Sequence, residues 1–192
     1  GIAAFEAGGF IVDAGRNDLT AIPPVISRIP FPSAWRCLIL LDKTHEGIHG
    51  PEEVAAFEAL PTFPREKAAQ LCHELVMQGL PAIAEGDIRT FGAVIQNLQS
   101  IVGDHFAKAQ GGRFTSPKVA AALKDLESAG AVGIGQSSWG PTGFCIVDSL
   151  TKAESLVSDK RRQALEKEGL EIQIVTPRNR GASVTPVPHD IL

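Results

Sequence analysis

The sequence contains no run of 18 apolar residues, and no basic stretch leads into an apolar one. Neither a membrane-spanning helix nor a secretory leader is expected, and the reading places the protein in the cytoplasm. Cysteine is scarce: Cys37, Cys72 and Cys145 are odd in number, far apart and flanked by apolar residues. That excludes a disulfide framework and a zinc knuckle, and predicts buried thiols in a reducing compartment. Excess positive charge is also missing. A net charge of −4 and a pI near 5.7 argue against nucleic acid or an anionic membrane as partner. No internal repeat or low-complexity segment occurs. Common catalytic signatures fail as well. No glycine precedes Lys-Ser or Lys-Thr, so there is no P-loop, and Gly130, Gly133 and Gly135 miss the dinucleotide-binding order. Ser137 and Ser138 lie outside any Gly-x-Ser-x-Gly elbow.

What is present suffices for one large domain, or one domain and part of another. The 192 residues are 44% apolar and 21% charged, ordinary values for a globular core. The opening Gly1-Ile2-Ala3-Ala4-Phe5 lacks an initiator Met and reads as the interior of a longer protein. A short strand lies between Gly9 and Gly15. Residues 22–32 hold four prolines and read as an extended linker, with a boundary near Ser33. Arg36 to Asp42 is a buried strand.

Helices are expected from Pro51 to Leu60, from Pro64 to Gln78 with Gly79 as its stop, from Glu85 to Ala109, and from a Ser116 cap to Gly130. The apolar stripe of the third (Ile88, Phe91, Val94, Ile95, Leu98, Ile101, Val102, Phe106) marks it as the central packing element. Strands follow near 131–135 and 143–148. Thr151-Lys152-Ala153-Glu154 forms a capping box that opens a charged helix ending at Gly169. A half-exposed strand near 170–176 completes an α+β domain.

The stretch 130–144, Gly-Ala-Val-Gly-Ile-Gly-Gln-Ser-Ser-Trp-Gly-Pro-Thr-Gly-Phe, is the strongest candidate for ligand binding. Clustered glycines permit close approach to a ligand, and small polar side chains with backbone N–H groups suit phosphate. Gln110-Gly111-Gly112-Arg113 joins two helices, and Arg113 can pair with a phosphate or carboxylate, although a plain connector explains it equally well. Asp13, a carboxylate at a strand end between glycines, is a second candidate; Asp104 and His105 read better as a solvated helix end. His45-Glu46-Gly47-Ile48-His49 matches the zinc protease pattern, with Glu74 as a distant third ligand. Gly47 and the following Gly50-Pro51 disfavour the helix that chemistry needs, so a loop touching substrate or subunit is the better reading.

Gly133-Ile134-Gly135-Gln136-Ser137-Ser138-Trp139-Gly140-Pro141-Thr142, the upstream Gln110-Gly111-Gly112, and Gly8-Gly9-Phe10-Ile11-Val12-Asp13 resemble the β-ribofuranosylaminobenzene 5′-phosphate synthase family of the GHMP kinase-like superfamily. The resemblance runs from residue 1 to about residue 185. It implies a remnant of an N-terminal, ribosomal S5 domain 2-like domain over residues 1–32. A GHMP kinase-like C-terminal domain, a ferredoxin-like α/β sandwich, then spans 33–185, and 186–192 is a loose tail. It further implies transfer of ribose 5-phosphate from phosphoribosyl pyrophosphate to 4-aminobenzoate or 4-hydroxybenzoate, with loss of carbon dioxide and pyrophosphate. Mg²⁺ is the implied cofactor, its ligands unassigned.

On this reading Gly133, Gly135, Gln136, Ser137, Ser138, Trp139, Thr142, Gln110, Gly111 and Gly112 bind substrate, and Asp13 and Arg113 are catalytic. Family members carry a first phosphate loop upstream, so the chain reads as N-terminally truncated and, alone, inactive. An ATP-dependent small-molecule kinase and a non-catalytic binder of a phosphorylated metabolite are the alternatives. A homodimer is left open.

Overall fold

The computed structural model describes residues 1–15, 20, 22–47 and 50–185. The chain divides into two compact units: residues 1–31 with the segment from Pro177 onward, and Pro32–Thr176.

In the first unit, α1 (Ile2–Ala7) precedes β1 (Phe10–Asp13), which pairs antiparallel with β2 (Val25–Ile29). The expected linker is therefore partly strand. A proline removes only its own donor, and Pro23, Pro24 and Pro30 flank the run Val25-Ile26-Ser27-Arg28-Ile29 without interrupting it. The segment from Pro177, expected to close the second domain, packs in this unit instead. Asn179 accepts from Phe31 N at 2.8 Å and donates to Phe31 O at 2.9 Å, while Arg28 donates to Asn179 O and Ala7 O.

The second unit is built on an antiparallel sheet in the order β4-β5-β3-β6, with β3 spanning Arg36–Asp42, β4 Val132–Gln136, β5 Thr142–Val147 and β6 Leu170–Val175. The β3–helices–β4–β5–helices–β6 connectivity is the expected ferredoxin-like one. Leu38 and Leu40 of β3, Cys145 and Val147 of β5, and Leu170 and Ile172 of β6 bury one sheet face. It packs on Leu123 and Leu126 of α6 (Pro117–Ser128), and on Ala153 and Leu156 of α7 (Leu150–Leu156). Helix α2 covers Pro51–Ala59. Helix α5 (Ile88–Gln110) is capped by Asp87, which accepts from Arg89 N and Thr90 N, and stops at Gly111 (φ +83°).

Three expectations need correction. Gly79 does not stop a helix: α3 (Arg65–Glu74) continues through a π-helical turn (Leu75–Gly79) into α4 (Leu80–Glu85). In that turn Leu80 N bonds Leu75 O, a widening just before Pro81, which has no N–H for the regular ladder. The stop is Gly86, at φ +78°. The charged helix is two helices, α7 and α8 (Asp159–Lys167), capped by Ser149 and Ser158; Thr151 is not the cap. A second strong cap inside a charged run ends one helix and starts another. Lastly, only Cys145 is buried; Cys37 is half-buried and Cys72 is exposed, because Cys72 falls on the outward side of α3. Burial pushes the Cys37 thiol to about 11 and the Cys145 thiol to about 12, with Cys37 adding to the latter.

Candidate functional site

The β4–β5 hairpin takes its shape from its glycines. Gly133 adopts φ +63° at a register shift between Val132 and Gly135, a conformation that other residues rarely hold. Gly135 lies where a Cβ would stand 2.5 Å from Phe144 Cζ and 2.7 Å from Gln99 Cδ. Both are buried within β4, so they bring the strand against α5 and β5 rather than lining the open loop. The nearby amides also have partners: Gln136 N donates to Gln99 Oε1 at 3.0 Å and Ser137 N to Thr142 O at 2.9 Å. Beyond them, Ser138 turns the chain at φ +54°, in the left-handed region despite its side chain.

The turn places Trp139 in a cluster of rings. Its indole is buried, stacked on Phe57 of α2 with centroids 4.6 Å apart, and met edge-on by Phe106 of α5 at 5.1 Å. His105 lies edge-on to Phe106 and to Phe63.

Beside the rings is a group of amides. Gln136 Nε2 donates to Gln110 Oε1 at 3.1 Å and to Ser138 O at 2.8 Å, and Gln136 Oε1 accepts from Thr115 N at 2.6 Å. Gln110 Nε2 donates to Arg113 O at 2.9 Å. The two motifs, 26 residues apart, are thus joined directly. Arg113 forms a two-pronged ion pair with Asp104, 2.7 Å from Nε and 2.8 Å from Nη2, and donates to Ser100 Oγ at 3.3 Å. The Arg113 hydrogen bonds hold the Asp104 carboxyl below the ordinary carboxylate value and raise Arg113 in return. Asp104 takes two of the five guanidinium donors and Ser100 a third, so two remain for a ligand anion.

These groups converge on a cavity of about 200 Å³ lined by Phe57, Gln99, Val102, Gly103, Phe106, Gln110, Arg113, Phe114, Gln136, Ser138 and Trp139. A larger one, about 610 Å³ between α6 and the α7–α8 pair, contains none of the candidate residues. The smaller is the better candidate because apolar walls and a few convergent polar groups meet there.

Of the expected site residues, Gln110, Arg113, Gln136, Ser138 and Trp139 line the cavity. Ser137 and Thr142 sit at the hairpin, Ser137 exposed and Thr142 opening β5. Gly111 ends α5 and Gly112 follows in the connector. Asp13 lies in the first unit, exposed, and accepts from Gly15 N at 3.0 Å.

Sequence reasoning missed three residues. Gln99 lies in a helix recognised by its apolar stripe, and Phe57 in one recognised by the proline at its start, so neither signal singles them out. Asp42, nearly buried at the end of β3, accepts from Ser116 Oγ at 2.6 Å and from Thr44, and its N donates to Pro141 O beneath the loop. Burial raises its carboxyl, but the bonds from Ser116 and Thr44 and the charge of Lys118 outweigh this and hold it below 3.8.

Glu46 and the described half of the zinc pattern lie in coil before α2, with His45 exposed; His49 is outside the described residues. Gly47 packs tightly on Trp139 O and Gly140 Cα. Among the described residues no three of His, Cys, Asp and Glu cluster as a metal site, and the Asp104 carboxylate is bonded to Arg113 of the cavity wall. Among the described residues, no helix is long and apolar enough to cross a membrane.

Comparison with known proteins bears on the family and the fold. Residues 80–164 match the family described as GHMP kinases C terminal. The chain is 33% identical over 160 residues to β-ribofuranosylphenol 5′-phosphate synthase of Methanothermobacter thermautotrophicus, covering 77% of this chain and 47% of the relative. It is 31% identical over 198 residues to the Archaeoglobus fulgidus protein of the same name, covering 96% and 59%. It therefore spans about half the length of the curated relatives it matches. The fold resembles homoserine kinase from Cytophaga hutchinsonii, with a TM-score of 0.58 at 18% identity over 94% of this chain and 52% of that one. With the Gln-Ser-Ser-Trp-Gly-Pro-Thr hairpin in place, the chain belongs to the β-ribofuranosylaminobenzene 5′-phosphate synthase family of the GHMP kinase-like superfamily.

Proposed function

We propose that the chain forms part of an enzyme transferring ribose 5-phosphate from phosphoribosyl pyrophosphate to 4-hydroxybenzoate or 4-aminobenzoate with decarboxylation. The observation that carries this is the single cavity in which Trp139, Phe57 and Phe106 meet Gln110, Gln136 and Arg113. In the reaction, the bond from the anomeric carbon to pyrophosphate breaks and its electron pair leaves with pyrophosphate. The ring carbon bearing the carboxylate bonds to that carbon. The carbon–carboxylate bond then breaks, returning its pair to the ring and releasing carbon dioxide.

Positive charge develops first on the ribose and then on the aromatic ring. The faces of Trp139 and Phe106 suit such charge through their negative quadrupoles. Arg113 has donors left for the leaving group, and the apolar walls keep water from the activated sugar. Magnesium belongs to this proposal as an ion arriving with the pyrophosphate, since it is commonly held by substrate phosphates. Small molecules are the partners, and the three free cysteines suit a cytoplasmic setting.

Likeness to homoserine kinase at 18% identity supports the fold alone, so the kinase reading stays second. The test is turnover by the protein in its longest natural form. With Mg²⁺, phosphoribosyl pyrophosphate and carboxyl-labelled 4-hydroxybenzoate or 4-aminobenzoate, labelled carbon dioxide and pyrophosphate should appear together. ATP consumption without that release points to the kinase, and protection by ligand without turnover to a binding protein.

A further inference from the structure

Trp139 is the ring best placed to meet the aromatic acid, yet one face of its indole is already covered. Phe57 lies on it at 4.6 Å between centroids with the planes 12° apart, and Phe106 closes a side at 5.1 Å. A third ring between Phe57 and Trp139 would need roughly 7 Å of separation, two carbon–carbon contact distances. An acceptor ring therefore cannot stack on that face while Phe57 stays.

Phe57 has unusual support for a stacking ring. It remains 52% exposed, and α2 buries none of its nine residues. Both ends of α2 break the helix. Gly50 stands at φ +65° before it, and Leu60 is extended after it, ahead of Pro61. The helix is held at the site by its ring contacts with Trp139 and Phe106, not by a core of its own.

We infer that Phe57 is an internal stand-in for the acceptor's ring: it occupies the acceptor's place on Trp139, and the acceptor binds by displacing it, with α2 carrying Phe57 outward. This rests on the aromatic-acceptor reading above. Phe57 thereby sets specificity. An incoming planar ring replaces the stack it breaks, and its carboxylate can reach toward Arg113 and the Gln110–Gln136 amides, which a phenyl side chain cannot use. An aliphatic acid gains the polar contact but forfeits the stack.

The test uses the 192-residue chain, whose two tryptophans report separately. Trp139 is at the site, and Trp35 is buried on Phe91 away from the cavity lining. Indole N–H signals are followed by ¹⁵N NMR while 4-hydroxybenzoate, cyclohexanecarboxylate or benzyl alcohol is added to the native chain, Phe57→Ala and Phe57→Leu. An unmoved Trp35 signal reports an intact core, and Phe57→Leu, which keeps apolar bulk without a ring, carries the test if the alanine variant fails to fold. The expected result is a shift of Trp139 alone with 4-hydroxybenzoate. Affinity should rise roughly 2- to 12-fold in Phe57→Ala, the equivalent of one aromatic pair, and by less in Phe57→Leu. Cyclohexanecarboxylate should bind weakly throughout. Unchanged or weaker binding of 4-hydroxybenzoate in Phe57→Ala overturns the stand-in and leaves the acceptor reading in place. Benzyl alcohol binding Phe57→Ala as tightly as the acid supports the stand-in and overturns the acid acceptor. No movement of Trp139 in any chain overturns both.

Discussion

Gln136 Nε2 donates to Gln110 Oε1 across 3.1 Å, joining the end of the long helix α5 to the last residue of β4. Around this bond are Thr115 N on Gln136 Oε1, Ser138 O on Gln136 Nε2 and Arg113 O on Gln110 Nε2. The hairpin holds its shape through side-chain amides as much as through the strand ladder.

Replacing Gln136 by alanine should destabilise the second unit by about 1–3 kcal/mol, because polar groups around it lose their partner. Gln110→Ala should cost a similar amount. The double variant should cost less than the sum, since both remove the same bond. Urea unfolding of the three variants checks this, and strict additivity would show that the amides act independently.

Asp42 gives the acid dependence a definite sign. Burial pushes its carboxyl up, but the bonds from Ser116 and Thr44 and the charge of Lys118 prevail, so its folded value lies below the ordinary 3.8. A depressed carboxylate contributes stability that is fully present above the ordinary value and is lost as pH falls through the folded value. Ser116→Ala should therefore destabilise by roughly 2–4 kcal/mol at pH 7, combining a bond to a charged group with the loss of the α6 cap. Between native and variant the gap should narrow below pH 3.8 as Asp42 is protonated, leaving the capping part. Denaturant titrations at pH 7 and pH 3 measure it; a gap of constant size would refute the charge contribution.

Gly135→Val should lower stability by about 1–3 kcal/mol, because the new Cβ falls within 2.5 Å of Phe144 Cζ and 2.7 Å of Gln99 Cδ. The loss should appear as a lower thermal midpoint without ligand. An unchanged midpoint would mean that Phe144 and Gln99 yield freely.

The Arg113–Asp104 pair is half-exposed, so breaking it should cost less than about 1 kcal/mol of stability. Its effect should appear in anion binding instead. Arg113→Lys should weaken pyrophosphate binding roughly tenfold by losing the planar fork, and Asp104→Asn should strengthen it by freeing donors. Calorimetric titration with pyrophosphate separates the two directions, and equal affinity in all three proteins would remove Arg113 from the phosphate site.

Local signals made much of the fold readable. Ser116 as the cap of α6 and the short apolar run of β3 act over a few residues, and the structure shows both where the pattern put them; the Asp87 cap and the Gly111 stop of α5 appear only in the structure. Misreadings came where distant contacts overrode local rules. Gly79 looked like a stop, but a Cβ there would press on Val94 and Leu75, so it is a packing position inside a continuous helical run. The proline-rich stretch looked like a linker, but β1 supplies a partner for Val25–Ile29. In the candidate site, Gln136 and Trp139 stood out by composition, whereas Phe57 and Gln99 did not, since nothing nearby in sequence distinguishes them from core or surface residues.

By itself the sequence determined α2, α5, α6, the strands of the main sheet and the hairpin motif, because capping, periodicity and glycine content are settled by neighbours along the chain. The tertiary structure alone decided that Gly133 and Gly135 pack the sheet, that Arg113 is held by Asp104, and that Phe57 lies on Trp139. Those relationships join residues 9 to 82 positions apart or place them against other elements, and only the packing of those elements brings them within contact distance.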